Sequence, residues 1–463
     1  MTGSHRLHGE EVTGYEILDA RELRAARQRD WLQGHEDCCL VSVTMNIAGP
    51  VKSTPLIRDG FRAGMELVDD TLHNLGLPVR RSDQWFAKTG CEGFRLVCGP
   101  ADEVKRAMIG AEAASSFGRL LDIDVLGPDC VPLSRTGLGL PGRRCLVCGE
   151  PAQVCGRSQR HSYEQLRAVT NEIIHTFLSR RSADRVAALA CRAMLWEVLV
   201  TPKPGLVDRD NRGSHSDMDV FTFAASAAAI TPYLRDVYLL GCRHSDRVQL
   251  LTALRGAGRL AEEDMNRATG NVNTHKGLIY SLGLLCAASG RCQDLEIPSI
   301  STVLEECGTL AAMAMDADFG AQAPSRTTTG QTLYRTRGIG GIRAEAAAGF
   351  PSVQQIALPV LTRLLDAGMC ANDAGAYTLL ALLGRVTDTN MIARGGMESA
   401  AAAKAAALSL LPDLNGDLPD LSHLRSLDRQ FIRDNLSPGG CADLLAISFF
   451  LYHLNKETQT WQT

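Results

Sequence analysis

The feature that most constrains the fold of this chain is a change of texture near residue 164. Before it, short apolar runs alternate as strands do and are interspersed with helical patterns. After it, Ala- and Leu-rich segments with apolar residues at helical spacing are joined by Gly-rich loops, with hardly any β-branched alternation. At 463 residues the chain is also too long for one ordinary core. Together these predict a multidomain protein, with an N-terminal α/β or α+β domain over residues 14–165 and an all-α domain over residues 166–463.

In the first part, residues 40–46, 94–98 and 120–126 read as strands, and residues 62–75 and 101–114 as helices. In the second, helices are expected over 187–200, 220–234, 277–288, 356–365, 374–383 and 443–454. A composition of 45% hydrophobic and 22% charged residues with a net charge of −4 gives no global attraction to nucleic acid or anionic membranes, so an anionic ligand must be held locally. No apolar run reaches the ~18 residues of a membrane span, and residues 1–10 lack a signal-peptide core, so a cytoplasmic protein is expected. Fifteen cysteines, an odd number scattered through apolar contexts such as Cys191 and Cys286, point to reduced thiols rather than a disulfide framework.

The helical part carries its chemistry in loops. Pro202-Lys203-Pro204-Gly205, followed by Asp208, His215, Asp217 and Asp219, delivers a lysine, a histidine and carboxylates into one irregular segment between two apolar runs. Further loops carry Asn273-Thr274-His275-Lys276-Gly277, Thr329-Gly330 with Gly338 to Arg343 and Glu345, Asp388-Thr389-Asn390 with Arg394, and Ser437-Pro438-Gly439-Gly440 ahead of Asp443. Each ends where an apolar helix begins, and helix N-termini with glycines bind polyphosphates without a P-loop or dinucleotide fingerprint. Asp217 and Asp219 are expected in a first helical turn, facing a metal or the loops, with Glu197, Asp208, Glu345, Asp388 and Asp443 as further candidates for magnesium or general-base work. Helix capping is the competing role for Asp217, Asp219 and Asp443.

In the N-terminal part, Asp122 and Asp124 sit two apart on a strand, so both carboxylates share a face at about 6–7 Å between Cα atoms and suit one divalent cation, the alternative being that one of them merely ends the strand or caps a turn. Arg119 and Arg135 add charge for phosphates. Lys52, just after the Gly49-Pro50 turn, is a candidate phosphate contact or a solvated surface lysine. Cys145, Cys148, Cys155 and His161 supply four candidate zinc ligands, although their spacing is not that of a common finger, and free thiols are the alternative.

Six ordered segments of the helical part resemble the triphosphoribosyl-dephospho-CoA synthase (CitG-type) family. They are Pro202 to Asp208, His215 to Met218, Val272 to Gly277, Gly341 to Glu345, Asp388 to Asn390 with Arg394 to Gly396, and Leu436 to Leu445. The N-terminal part resembles the apo-citrate lyase phosphoribosyl-dephospho-CoA transferase (CitX-type) family through Asn46 to Lys52, Gly118 to Val125, Leu138 to Pro141 and Cys148 to His161. The resemblance implies a fused enzyme whose first domain is nucleotidyltransferase-like. The helical domain would join the 2′-hydroxyl of 3′-dephospho-CoA to C1 of the ATP ribose and expel adenine. The first domain would then transfer the product to a serine of the apo acyl carrier subunit of citrate lyase and release pyrophosphate.

On this reading Asp217, Asp219 or Glu345 serves the ribosyl chemistry, and Lys203, His275, Lys276 and Arg343 hold the triphosphate, with Gly205, Asn273, Gly439 and Gly440 beside it. Asp122 and Asp124 hold magnesium, with Lys52 and Arg119 near the phosphates. Alternatives are the same chemistry serving malonate decarboxylase, or an ADP-ribosyl hydrolase-like activity with an N-terminal carrier-docking module. Neither nucleic acid nor a membrane is an expected partner.

Overall fold

The strand-forming residues of the N-terminal part close into a small antiparallel sheet. In the computed structural model, which describes residues 5–293, 299–319, 339–411 and 420–460, the strands are β1 (Cys38–Met45), β2 (Val79–Ala87), β3 (Gly90–Cys98) and β4 (Leu121–Leu126). Their order is β2-β3-β1-β4 and every pairing is antiparallel, so this part is α+β rather than a βαβ fold. Thr329, Gly330 and Gly338 lie outside the described residues. The chain divides into two compact units, residues 1–180 and 181–463.

Alternation along β1 and β4 sets the two faces of the sheet. Cys39, Val41 and Val43 of β1 and Leu121, Ile123 and Val125 of β4 are buried in one core with Phe61, Met65 and Val68 of α2 (Pro55–Asn74) and Val104 and Met108 of α3 (Ala101–Ala113). The opposite face packs Leu40, Phe94 and Leu96 against Trp31 and Leu32 at the end of α1 (Gly14–Leu32). Trp31, Trp85 and Phe94 meet edge-to-face, with ring centroids 5.1 to 6.1 Å apart. Asp122 and Asp124 lie on this second face, opposite Thr44 and Ser42 of β1. Two elements that build this sheet and its cover were absent from the sequence expectation. α1 buries only Trp31 and Leu32 and so shows no apolar stripe, and β2 is a polar edge strand whose outward residues are exposed.

After the short helix α4 (Ala152–Ser158), one long helix, α5 (Tyr163–Leu199), crosses the division between the units. Ile174 belongs to the core of the sheet unit and Phe177 stacks on Phe117 at 3.8 Å, whereas Ala183, Val186 and Ala190 belong to the core of the helical unit. The division therefore falls inside a continuous helix, beyond the expected boundary at residue 165. The helical unit continues with Val220–Arg243, Arg247–Thr269, Lys276–Cys292, Ile300–Phe319, Gly341–Ala347, Leu358–Asp366, Ala371–Leu383, Thr389–Ser409, Leu421–Arg433 and Gly439–Thr460. Its core is continuous through Ile230, Leu282, Leu285, Phe350, Leu379, Phe449 and Phe450. Among the described residues no helix is long and apolar enough to cross a membrane.

Phe94 is fully buried at the centre of the aromatic trio. Phe94→Ala is expected to destabilise the sheet unit by about 3–5 kcal/mol, read as a lower urea midpoint in the near-ultraviolet dichroism of Trp31 and Trp85. A change below ~1 kcal/mol would show that the trio is not a packed core.

Candidate active sites

The loop between α5 and the helix Val220–Arg243 is built around buried carboxylates. Asp208 accepts from the backbone N–H groups of Lys203, Asp210 and Asn211 at 2.8 to 3.0 Å. Asp428, on the helix Leu421–Arg433, accepts from Gly205 N and Asn211 Nδ2, both at 2.9 Å. Gly205 has φ +71°, and a Cβ there would lie 2.2 Å from the Leu436 carbonyl oxygen, so no other residue fits this approach. Held at both ends, the loop turns Lys203 inward, where Nζ donates to Glu197 Oε1 at 2.5 Å with the two residues only 1% and 3% exposed.

This ion pair lies in the wall of a cavity of about 960 Å³, which the other predicted loops also line. Lys203, His215, Asn273, His275, Lys276, Arg343, Gly439 and Gly440 all face it, together with Asn390, Arg394 and Asp443. Asp388 gathers two of these loops. It caps the helix Thr389–Ser409 by accepting from Asn390 N and Met391 N at 2.7 and 3.1 Å, and it accepts from Cys441 N at 2.8 Å. Asn390 and Asp388 press so close to Gly439 and Gly440 that a Cβ there would meet them at 2.4 and 2.9 Å.

Asp443 lies in the first turns of the helix Gly439–Thr460, half-buried, and does not serve as its N-cap. A Cβ on Gly277 would fall 1.9 Å from Asp443 Oδ2, so this glycine makes room for the carboxylate. Desolvation raises the Asp443 carboxyl well above its usual range, with the Glu197 and Asp388 charges adding to it. Desolvation also raises Glu197, opposed by Lys203, and raises Asp388, opposed by its backbone donors.

His275 is 1% exposed and held to about 3, first by desolvation and then by the Lys203 charge, so its ring is neutral. Thr274 Oγ1 donates to Ser226 Oγ at 2.7 Å, and Ser226 Oγ lies 2.7 Å from His275 Nδ1. The other ring nitrogen, Nε2, is buried at the cavity wall with no protein hydrogen-bond partner. His215, lowered by desolvation and then by Arg394, meets Ser437 Oγ at 2.9 Å through Nε2 and Arg394 at 3.3 Å through Nδ1. Lys276 pairs with Glu262 at 2.8 Å, and the Arg343 guanidinium stands 5.0 Å over the Tyr280 ring. Arg255 and Arg259 add further positive charge to the lining.

Three expected catalytic carboxylates are placed elsewhere. Asp219 is the N-cap of the helix Val220–Arg243, accepting from Thr222 N at 3.0 Å and pairing with Arg212 at 3.3 Å. Asp217 precedes that cap, exposed and 4.0 Å from His215, rather than within the first turn. Glu345 accepts from Ser352 N at 3.2 Å and Ser352 Oγ at 2.5 Å. None of the three lines the cavity, and neither does Gly205. Arg255, Arg259, Glu262 and Ser226 escaped sequence reasoning because they lie within helices rather than in the loops.

The sheet unit has its own cavity, of about 890 Å³, lined by Asn46, Glu112, Arg119, Arg135, Arg143, Arg144, Cys145, Cys155 and His161 among others. Its organiser is Glu112, 2% exposed inside α3, which accepts from Ile123 N at 2.9 Å and pairs with Arg135 and Arg143. Arg143 also reaches Asp122 at 3.0 Å. Asp124, though exposed, is raised by desolvation and then by the Asp122 charge. Arg119 Nη2 donates to the carbonyls of Arg144 and Cys145 at 2.6 and 2.9 Å, and Lys52 Nζ closes its own turn on the Ile47 carbonyl at 2.5 Å. Lys52, Asp122 and Asp124 do not line this cavity. Glu112 gave no sequence signal, since a glutamate within a helical pattern reads as solvated surface.

Arginines line both cavities, joined by lysines in the helical unit, and each cavity has a buried carboxylate beside them, a lining suited to anionic groups. The family described as CitG, ATP:dephospho-CoA triphosphoribosyl transferase, matches residues 183–462, and that described as CitX, apo-citrate lyase phosphoribosyl-dephospho-CoA transferase, matches residues 12–177. Protein CitXG of Leuconostoc mesenteroides subsp. cremoris is 32% identical over 96% of this chain and 98% of its own length. Protein CitXG of Haemophilus influenzae is 31% identical over 96% of each. The 2-(5''-triphosphoribosyl)-3'-dephosphocoenzyme-A synthase of Pectobacterium atrosepticum is 40% identical over 63% of this chain and 96% of its own length. The chain belongs to the bifunctional CitXG family, whose work is the synthesis of the citrate lyase prosthetic group.

The glycine beside Asp443 gives a contrast in sign. Alanine in a helix is favoured over glycine by about 1 kcal/mol, but at Gly277 its methyl would collide with the carboxylate, and overpacking costs about 1–3 kcal/mol. Gly277→Ala is therefore expected to lower the melting temperature. Gly256→Ala, in the helix Arg247–Thr269 with nothing within 4 Å of the new methyl, is expected to raise it. Equal shifts in a thermal melt would contradict the placement of Asp443.

Proposed function

We propose that the helical unit joins ATP to 3′-dephospho-CoA and that the sheet unit attaches the product to the apo acyl carrier subunit of citrate lyase. The observation that carries the first step is the convergence of Lys203, His275, Lys276, Arg343 and Gly439-Gly440 on one cavity with Asp443 in its wall. The 2′-hydroxyl oxygen of dephospho-CoA bonds to C1 of the ATP ribose as the bond from C1 to the adenine nitrogen breaks. Asp443, whose environment favours its protonated form, gives its proton to the departing adenine and, as the carboxylate this leaves, takes the proton of the attacking hydroxyl, so that the net proton movement is from hydroxyl to base. Glu197 supports the oxocarbenium character that develops at C1, and the triphosphate stays on the ribose. Lys276, Arg343 and Arg394 are its donors, with the unpartnered His275 Nε2 beside them.

In the sheet unit, read as nucleotidyltransferase-like, a serine hydroxyl of the carrier attacks the α-phosphate of the product and pyrophosphate departs. Magnesium fits the paired, oxygen-only donors Asp122 and Asp124, and when bound it neutralises phosphate charge. Arg143, shared between Glu112 and Asp122, holds the anionic substrate near that pair. These substrates and the unpaired cysteines suit a cytoplasmic setting.

The test is adenine release, followed by chromatography, from ATP, 3′-dephospho-CoA and magnesium. Release that requires dephospho-CoA is expected; release without it would indicate hydrolysis and overturn the transfer. Asp443→Asn is expected to lower kcat by about 10²–10⁴-fold. In a coupled assay, Asp122→Asn should leave adenine release intact and stop carrier labelling, and labelling at the original rate would remove that carboxylate from the chemistry.

A further inference from the structure

The stretch that carries Arg143 toward Asp122 has almost no apolar core of its own. Between residues 134 and 162 the only buried side chains are those of Cys145 and Cys155, while Val147 and Val154 are exposed. So little buried apolar surface does not fix a segment of this length without a cross-link.

Its order is centred on sulfur. Cys145 N donates to the Glu150 carbonyl at 2.6 Å, Gly149 N to the Cys145 carbonyl at 3.2 Å and Val147 N to Cys145 Sγ at 3.5 Å, with Gly149 at φ +75°. Arg144 and Pro151 form a β-bridge across this tight turn. α4 then brings back Cys155, and the left-handed Gln159 (φ 46°) reverses the chain so that His161 returns to the same point. Cys148 Sγ lies 3.3 Å from Cys155 Sγ and 3.3 Å from His161 Nε2, and the donor atoms of Cys145, Cys148, Cys155 and His161 all lie within 4.8 Å of one another.

We propose that these four residues form a structural zinc site. Tetrahedral zinc with sulfur at ~2.3 Å sets its thiolates about 3.8 Å apart, which the cluster reaches with small adjustments. A Cys148–Cys155 disulfide would use two of the four donors and leave Cys145 and His161 without a purpose in common. With four protein ligands the metal has no open position, so it builds the segment rather than performing chemistry. Its effect reaches the neighbouring site through Arg119, which grips the Arg144 and Cys145 carbonyls, and through Arg143, 2.6 Å from Glu112 and 3.0 Å from Asp122. The consequence for activity, unlike the site itself, rests on the carrier-transfer reading above.

The test is zinc content by elemental mass spectrometry on the full chain, purified without a metal-affinity step under reducing conditions. One zinc per chain is expected, falling below about a tenth in Cys148→Ser and His161→Ala. Cys370→Ser, at an exposed cysteine of the helical unit, should keep its zinc. Unmodified protein that holds no zinc after incubation with zinc chloride and dialysis, or that alkylation mass spectrometry shows to carry a Cys148–Cys155 disulfide, would overturn the site. Cys148→Ser is further expected to lose carrier labelling while retaining dephospho-CoA-dependent adenine release; undiminished labelling in a zinc-free variant would overturn the positioning of Arg143. Absent adenine release in the unmodified chain counts against the synthase reading and leaves the zinc measurement standing.

Discussion

The helical unit depends on the buried pair Lys203–Glu197. Two opposite charges withdrawn from water gain little net stability from their mutual attraction, but each makes the other indispensable, because a lone charge at 1% or 3% exposure would be severely penalised. The lysine reaches its partner only because Asp208 and Asp428 fold the intervening loop and Gly205 lets it lie against the Leu436 carbonyl. The same pair sets the electrostatics of its surroundings. Its lysine helps keep His275 neutral, and its glutamate helps keep a proton on Asp443. Loop geometry and acid–base chemistry thus share one cause.

The two units place their cationic side chains differently. The helical unit brings loops from distant parts of the chain to one cavity and adds arginines from within its helices. The sheet unit relies on a single buried glutamate, Glu112, to aim Arg135 and Arg143, with the cysteine-bearing turn supporting the arginine segment. In both, a carboxylate too buried to be solvated sets where the cations stand.

The legibility of this molecule in its sequence followed the strength of each physical signal. β1, β3, β4, α2 and α3 carry apolar periodicity and lie where the pattern places them, and the loops ending at His275 and Gly440 stood out because proline, glycine and charge have little packing value there. α1 and β2 were silent because their burial is confined to a few residues. Asp217, Asp219 and Glu345 drew attention as carboxylates near loops, but position along the chain does not reveal whether a carboxylate caps a helix, binds a serine or lines a cavity; Asp219 caps, Glu345 binds Ser352, and Asp443 lines the cavity together with Glu197. Glu112 and Asp428 act through burial alone, which arises only once distant elements have packed.

The most direct measurement of this account is a double-mutant cycle on the buried pair, using urea stability with Lys203→Met, Glu197→Leu and the double substitution. Each single change strands a buried charge and is expected to cost about 3–5 kcal/mol, whereas the double change should cost markedly less than either while abolishing adenine release. Single changes that are nearly neutral and strictly additive would contradict the claim that this pair holds the site together.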